Sequence, residues 1–264
     1  MPNEKTSIHL LRTKLHRPPV AADIVCRQAL HARLDAGRRL PLSLTAAPAG
    51  YGKSTFIANW LATCDCPSAW ISLDENDNDP RVLLTYILEA MQTIVPGACA
   101  GIRDVLKSDI LPSSHILAAT LGDNLDHIDK ELILVLDDYH VIHEKAVHDV
   151  IAELLLHIPR EVHLVLGTRH DPPFPLSSMR ARNQLAEIRV QDLSFTREET
   201  LEFLQNVLDI GIDSDLAVAF EDKSEGWPAG LRLMAATLRR RKDPRELLAG
   251  LEREHRHVVE FLVD

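Results

Sequence analysis

"SLTAAPAGYGKSTFIANWL", residues 43–61, breaks an apolar run into small residues and glycines before Lys53 and Ser54 open an amphipathic stretch. A phosphate-binding P-loop reads G-x-x-x-x-G-K-[ST] and sits between a strand and a helix. Here the pattern falls on Ala47, Pro48, Ala49, Gly50, Tyr51, Gly52, Lys53 and Ser54, so the last three positions match and Ala47 replaces the first glycine. That glycine eases the turn off the strand. Alanine is the mildest replacement, and Gly50 adds freedom inside the loop. Backbone amides at a helix N-terminus, aided by the helix dipole, favour an anion. In this reading the loop from Gly50 through Tyr51, Gly52 and Thr55 cradles phosphates, Lys53 bridges the β- and γ-phosphates and the Ser54 hydroxyl ligates Mg²⁺. The alternative is a glycine-rich turn that binds nothing.

A second signal lies in "LILVLDD", residues 132–138, the most strand-like run of the chain. A P-loop needs another strand to bring an acidic residue to the metal. Asp137 is expected to hold the metal-bound water, and Asp138 to orient an attacking water as a base. The competing reading is a pair of loop aspartates that cap the next helix. One strand, 68–73, intervenes in sequence, which favours the P-loop branch in which another strand separates the two motif strands. "LVLGTR", residues 164–169, repeats the geometry and leaves Thr168 and Arg169 at a strand's carboxyl end, where open α/β sheets bind ligands. Arg169 is a candidate sensor of the γ-phosphate, as suits a permanently charged fork. Otherwise it is a surface arginine paired within the following "HDPP".

Around these motifs, apolar strands at 40–46, 68–73, 131–138, 161–169 and 186–190 alternate with helical patterns at 21–39, 53–62, 81–95, 115–128 and 144–157. Such alternation implies a mostly parallel five-stranded sheet covered on both faces, an α/β P-loop NTPase core of the ASCE type. After Val190 the pattern turns wholly helical. Thr196 and Glu199 form an expected capping box, further helices are expected at 215–224, 229–241 and 244–262, and Pro228 suits a helix's first turn. The expected organisation is a lead-in over 1–20, a nucleotide-binding core over 21–192 and a small helical subdomain over 193–264. The chain stops inside an amphipathic pattern, as expected of a piece of a longer protein.

The 264 residues carry a formal charge of −10, which argues against this piece by itself gripping DNA, because phosphate neutralisation needs clustered Lys and Arg. The basic run at 239–242 is short and reads as a solvated helix end. No stretch approaches the roughly 18 apolar residues of a membrane span, and the N-terminus lacks a secretory pattern. The four cysteines follow no zinc or paired-disulfide spacing and read as reduced bystanders in a cytoplasmic protein.

Several stretches together resemble the nucleotide-binding module of STAND-class ATPases, and more narrowly the MalT-like, large ATP-binding LuxR-type transcriptional regulators of bacteria. They are "TKLHRPP" (13–19), "APAGYGKSTFIANWL" (47–61), "AWISLDENDNDP" (69–80), "VLDDYHVI" (135–142), "GTRHDPP" (167–173), "LSFTREET" (193–200) and "EGWPAGLRL" (225–233). The resemblance implies that Pro228 contacts bound ADP from the helical subdomain, with Trp227 packing beside it. It implies that "DIVCRQAL" (23–30) lines the adenine site, making Val25 and Arg27 adenine-side candidates. It also implies a winged-helix-like arm, an inducer sensor and a DNA-binding helix-turn-helix outside this chain, and self-association of the activated full-length protein.

Two functional classes follow. In one, ATP and ADP with Mg²⁺ act as signals: ADP bridges core and helical subdomain at rest, ATP favours a self-associating state, and slow hydrolysis resets it. In the other, the chain is a continuously turning-over ATPase or phosphotransferase. A degenerate site kept as an interaction scaffold is a third reading. The absence of an acceptor-binding signature and the proline-led helix in a second subdomain favour the signal.

Overall fold

A strand that is buried at every position is covered on both faces, and three of the five strands here are of that kind. A computed structural model describes residues 10–21, 23–208 and 214–240. The strands are β1 (Leu42–Ala46), β2 (Ser68–Ser72), β3 (Leu132–Asp137), β4 (Val162–Thr168) and β5 (Leu185–Arg189). They lie in the order β2-β3-β4-β1-β5, with every neighbouring pair parallel. β1, β3 and β4 are buried along their whole length, as the centre of a doubly covered parallel sheet requires. The two motif strands, β1 and β3, are separated by β4. The intervening strand in sequence, β2, lies instead at the sheet's edge.

The pleat sorts side chains to two cores. Leu42, Leu44, Leu134, Leu136, Leu164 and Leu166 face one layer, built from α3 (Pro80–Ile94), α4 (Ala100–Leu106), α5 (Ser114–Asp126) and α6 (Lys145–His157). Ile133, Val135 and Val165 face the other, where α1 (Gln28–Gly37) and α2 (Lys53–Thr63) bring Leu34, Phe56, Ile57 and Trp60. α2 is buried nearly all round, Ala58 and Asn59 included, rather than along a single stripe. α1 begins at Gln28, later than the helical spacing from residue 21 suggests. Ile24 and its neighbours run irregularly. α4, α7 (Leu176–Ala181) and α8 (Val190–Leu193) carry too little periodicity to be read from sequence.

The helices α9 (Arg197–Leu208), α10 (Ser214–Ser224) and α11 (Pro228–Arg240) gather a separate apolar cluster of Phe203, Leu204, Phe220, Leu231 and Ala235. α9 opens with the expected capping box: the Thr196 amide donates to Glu199 Oε2 at 3.0 Å and the Glu199 amide to Thr196 Oγ1 at 3.3 Å. The helix expected at 244–262, and Arg241 and Lys242 of the basic run, lie outside the described residues.

The lead-in is more than an extended strap. Arg12–Leu15 form a single 3₁₀ turn that buries Lys14, which pairs with the fully buried Asp77, lies 3.3 Å from Asp74 and sits over the Tyr86 ring at 4.3 Å. This ion pair ties the start of the described chain to the acidic loop that follows β2.

His163 ties β4 to the residues around the start of β1. One ring nitrogen lies 2.7 Å from the Leu40 carbonyl and the other 3.0 Å from the Ser43 hydroxyl. The neutral ring satisfies both contacts, and burial pushes its pKa down to about 4. The unfolded chain therefore takes up a proton below about pH 6.5 that the folded chain refuses, and stability drains away as the pH falls from there towards 4. Urea unfolding of the wild type between pH 7.5 and pH 4 should show roughly 3 kcal/mol more loss than that of His163→Gln. Parallel pH profiles for the two proteins would show that the ring is solvated in the folded state.

Candidate functional site

The bend from β1 into α2 is made by two residues in the left-handed region, Gly50 at φ +80° and Gly52 at φ +74°. Gly52 caps α2, and the Phe56 amide donates back to its carbonyl at 2.8 Å. Ala47 needs no glycine: it is not among the residues of positive φ, its methyl is buried against α2, and its amide donates to the Thr168 carbonyl at 3.2 Å. The Lys53 ammonium donates to the Pro48 carbonyl at 3.1 Å across the loop. Burial depresses its pKa, the charges of Asp138 and Asp137 push back, and Arg169 adds to the depression.

Asp137 ends β3 at the same sheet edge, because Ala46 is in register with Thr168 and Leu136 with Leu166. Its carboxylate is buried, accepts a hydrogen bond from Ser54 and keeps Oδ1 without a partner. Burial raises its pKa to about 6. A side chain on Gly167 would collide with this carboxylate, so the glycine of "LGT" leaves the space it occupies. Asp138 follows in a left-handed conformation, φ 58° and ψ 34°, with its side chain about half exposed and 3.9 Å from His140 Nδ1. Neither aspartate caps α6, whose N-terminal Glu144 makes no side-chain cap. Arg169 is exposed and makes no hydrogen bond or ion pair among the described residues. The aspartate of "HDPP", Asp171, pairs instead with Arg189 and lies 3.9 Å from Arg180.

A cavity of about 400 Å³ opens where these groups meet. Gly50, Tyr51, Gly52, Lys53, Ser54, Thr55, Asp138 and Arg169 line it from the sheet edge and loop, Val25 and Arg27 from the segment just before α1, and Pro228 from α11. Asp137 stands behind Ser54 rather than in the wall. The helical unit grips the loop directly: the Trp227 indole donates to the Ala49 carbonyl at 3.3 Å and the Ala229 amide to the Gly50 carbonyl at 3.0 Å. Val25 is buried in the helical cluster. Arg27 is a clamp. Its guanidinium pairs with both oxygens of Glu199 at 2.8 and 2.6 Å and donates to the carbonyls of Leu193 and Ser194. Its polar head is therefore spent on protein, and what it offers the cavity is its buried framework.

Sequence reasoning passed over Asn59, Phe195, Phe203, Asp23 and Arg232, which also line the cavity. Arg232 pairs with Asp23 at 2.9 Å and sits 5.5 Å from the Phe203 ring centre. The helical register from Lys53 puts Asn59 just under two turns along the same helix, a signal that could have flagged it.

The architecture resembles the Walker-type ATPase of Pyrococcus abyssi, with a TM-score of 0.57 at 13% identity over 95% of this chain and 77% of that one. It also resembles Cdc6p from Pyrobaculum aerophilum, with a TM-score of 0.52 at 13% identity over 89% and 68%. At such identities the likeness establishes the P-loop ATPase fold alone. No family model matches the chain. It is 33% identical over 259 residues to the HTH-type transcriptional regulator MalT of Yersinia enterocolitica, and 32% identical over 257 residues to MalT of Vibrio cholerae. These alignments take in 97% and 96% of this chain and 28% of each relative. The chain is a MalT-like P-loop module. It spans a little over a quarter of the length of the curated relatives it matches.

The grip of the helical unit on the loop of this MalT-like module is testable at its two glycines. A Cβ on Gly50 would lie 2.5 Å from Trp227 Nε1 and 2.9 Å from Ala229 Cβ, whereas one on Gly52 meets nothing within 4 Å. Both positions have positive φ, so each alanine carries a backbone strain of about 1 kcal/mol. Gly50→Ala should lose about 1–3 kcal/mol more than Gly52→Ala in chemical denaturation, from overpacking against α11. Equal losses would mean that α11 does not rest on the loop.

Proposed function

We propose that this module is the adenine-nucleotide switch of a MalT-like transcriptional regulator. ATP or ADP with Mg²⁺ occupies the cavity between core and helical unit, ATP favours a self-associating active state, and slow hydrolysis returns the module to rest. DNA is reached through a helix-turn-helix, and a small-molecule inducer through a sensor domain, both in parts of the regulator outside this chain. The assignment is to the cytoplasm, where such a regulator meets DNA.

The observation that carries the reading is the pair of hydrogen bonds from Trp227 and Ala229 to the carbonyls of Ala49 and Gly50. A group in the cradle that repositions those carbonyls acts on the helical unit at once. Such a coupling works through differential affinity of the two arrangements for ATP and ADP.

In this proposal the amides of Gly50 to Thr55 and the Lys53 ammonium hold the phosphates, and Val25, Arg27 and Pro228 frame the nucleotide's other end. Ser54 and Asp137 hold the metal. An orphaned, buried carboxylate oxygen with a hydroxyl beside it is a donor set suited to a hard divalent cation. When bound, Mg²⁺ supplies charge neutralisation at the phosphates. Asp138 orients the attacking water, and Arg169, free of protein partners among the described residues, meets the γ-phosphate.

Purified protein should carry ADP that is released on denaturation, and turn ATP over well below about 1 s⁻¹, the lower end of ordinary enzyme rates. Fast steady turnover without inducer would favour a constitutive ATPase instead. Lys53→Ala should abolish retention of both ATP and ADP, because it removes the loop's cation; unaltered affinity by calorimetry would refute the site. Asp138→Asn should leave ATP binding intact and slow hydrolysis by about a hundredfold or more, the usual contribution of a general base. Loss of binding would move Asp138 into the metal shell.

A further inference from the structure

Asn59 holds neither phosphate nor metal, yet it is more than nine-tenths buried and lines the cavity, and its side chain makes no hydrogen bond among the described residues. It lies six residues beyond Lys53 on α2, about 9 Å further along the helix axis at 1.5 Å per residue. Phe56, three residues before it, shares its helix face and also lines the cavity. Beyond the phosphate loop the cavity's apolar walls include Ile24, Leu193, Phe195 and Phe203.

The charged groups at this end are already committed. Arg27 is spent on Glu199 and two carbonyls, and Arg232 on Asp23. Outside the loop, Asn59 is thus the one uncharged polar side chain among the described lining residues. A primary amide offers an acceptor and a donor side by side. Adenine offers the complement, an exocyclic N6–H₂ donor next to a ring-nitrogen acceptor, and asparagine pairs with it bidentately.

We propose that Asn59 is the base-reading residue of this module, its carbonyl accepting from the 6-amino group of a purine and its NH₂ donating to the adjacent ring nitrogen. The proposal rests on the cavity being the nucleotide site. Apolar walls hold the plane of the base and Asn59 fixes its identity, because an unmatched base leaves a buried amide unpaired.

The test is calorimetric binding of ATP and of purine riboside triphosphate, which lacks the 6-amino group, to the 264-residue chain and two variants. The wild type should prefer ATP by about tenfold or more, the effect of one buried hydrogen bond. Asn59→Leu should bring the two ligands within about twofold of each other. Asn59→Asp keeps the acceptor and loses the donor, so both ligands should weaken while the preference for ATP survives. A wild type that binds both ligands equally, or a folded Asn59→Leu that keeps the gap, overturns the assignment. Should Asn59→Leu fail to fold, an Asn59→Asp variant with undiminished ATP affinity overturns it as well. If the wild type binds neither triphosphate, the nucleotide reading itself falls, a result distinct from loss of selectivity.

Discussion

The carboxylate of Asp137 is buried at the carboxyl end of β3 with one oxygen unpaired, and the site is arranged around that cost. A pKa lifted from 3.8 to about 6 penalises the ionised form by about 3 kcal/mol at neutral pH. The surroundings soften this without removing it. Ser54 donates one hydrogen bond, Lys53 supplies a positive charge whose own pKa is depressed by burial, and Gly167 keeps the neighbouring strand out of the way. An anionic site held this way is destabilised in isolation and relieved by a cation, which is why the residues gain their sense only when taken together. The sheet order makes the convergence possible: with β4 between β1 and β3, the loop after Ala46 and the tip of β3 meet at one edge.

The helical unit is bound to this edge from two sides. Through Trp227 and Ala229 it touches the backbone of the loop; through Glu199 and the Leu193 and Ser194 carbonyls it is held by Arg27, which stands just before α1. Val25, two residues before that clamp, is buried in the unit's own apolar cluster. The segment from Asp23 to Arg27 therefore belongs energetically to the helical unit, although it precedes the first helix of the core. Breaking the Arg27–Glu199 pair would strand charge in a largely buried setting, so separation of the two units is resisted by more than apolar contact.

Strands were legible in the sequence because their burial is a local property: five apolar residues in a row before Asp137 admit few other readings. The P-loop was legible because glycine and lysine serve there for conformational and charge reasons that do not depend on distant contacts. Lys14 was not. Its burial depends on Asp77 and Tyr86, more than sixty residues away, and a lone lysine in "TKLHRPP" reads as a solvated side chain. The start of α1 was misplaced for a related reason. Ile24, Ala29, Leu30 and Leu34 have roughly helical spacing, but the segment before Gln28 is not helical and its Val25 packs on the helical unit. Arg27 reads equally well as a ligand contact or a surface residue until Glu199, 172 positions later, is found against it.

The same geometry limits what a ligand in the cavity can accomplish in the proposed switch. Moving a two-state equilibrium from 1:99 to 99:1 takes about 5.5 kcal/mol of differential binding. The Arg27 clamp rests on Glu199, Leu193 and Ser194 and Arg232 on Asp23, all outside the loop, so a change confined to the phosphate end leaves these bonds in place. The bonds exposed to such a change are those onto Ala49 and Gly50, at 3.3 and 3.0 Å, which are directional and sensitive to small movements of the loop. A γ-phosphate that draws Lys53 from the Pro48 carbonyl would act next to both. In the proposed switch the phosphate end would be sensed through Lys53 and the loop backbone and the base read by Asn59, so that α2 would carry a residue for each task, six positions apart.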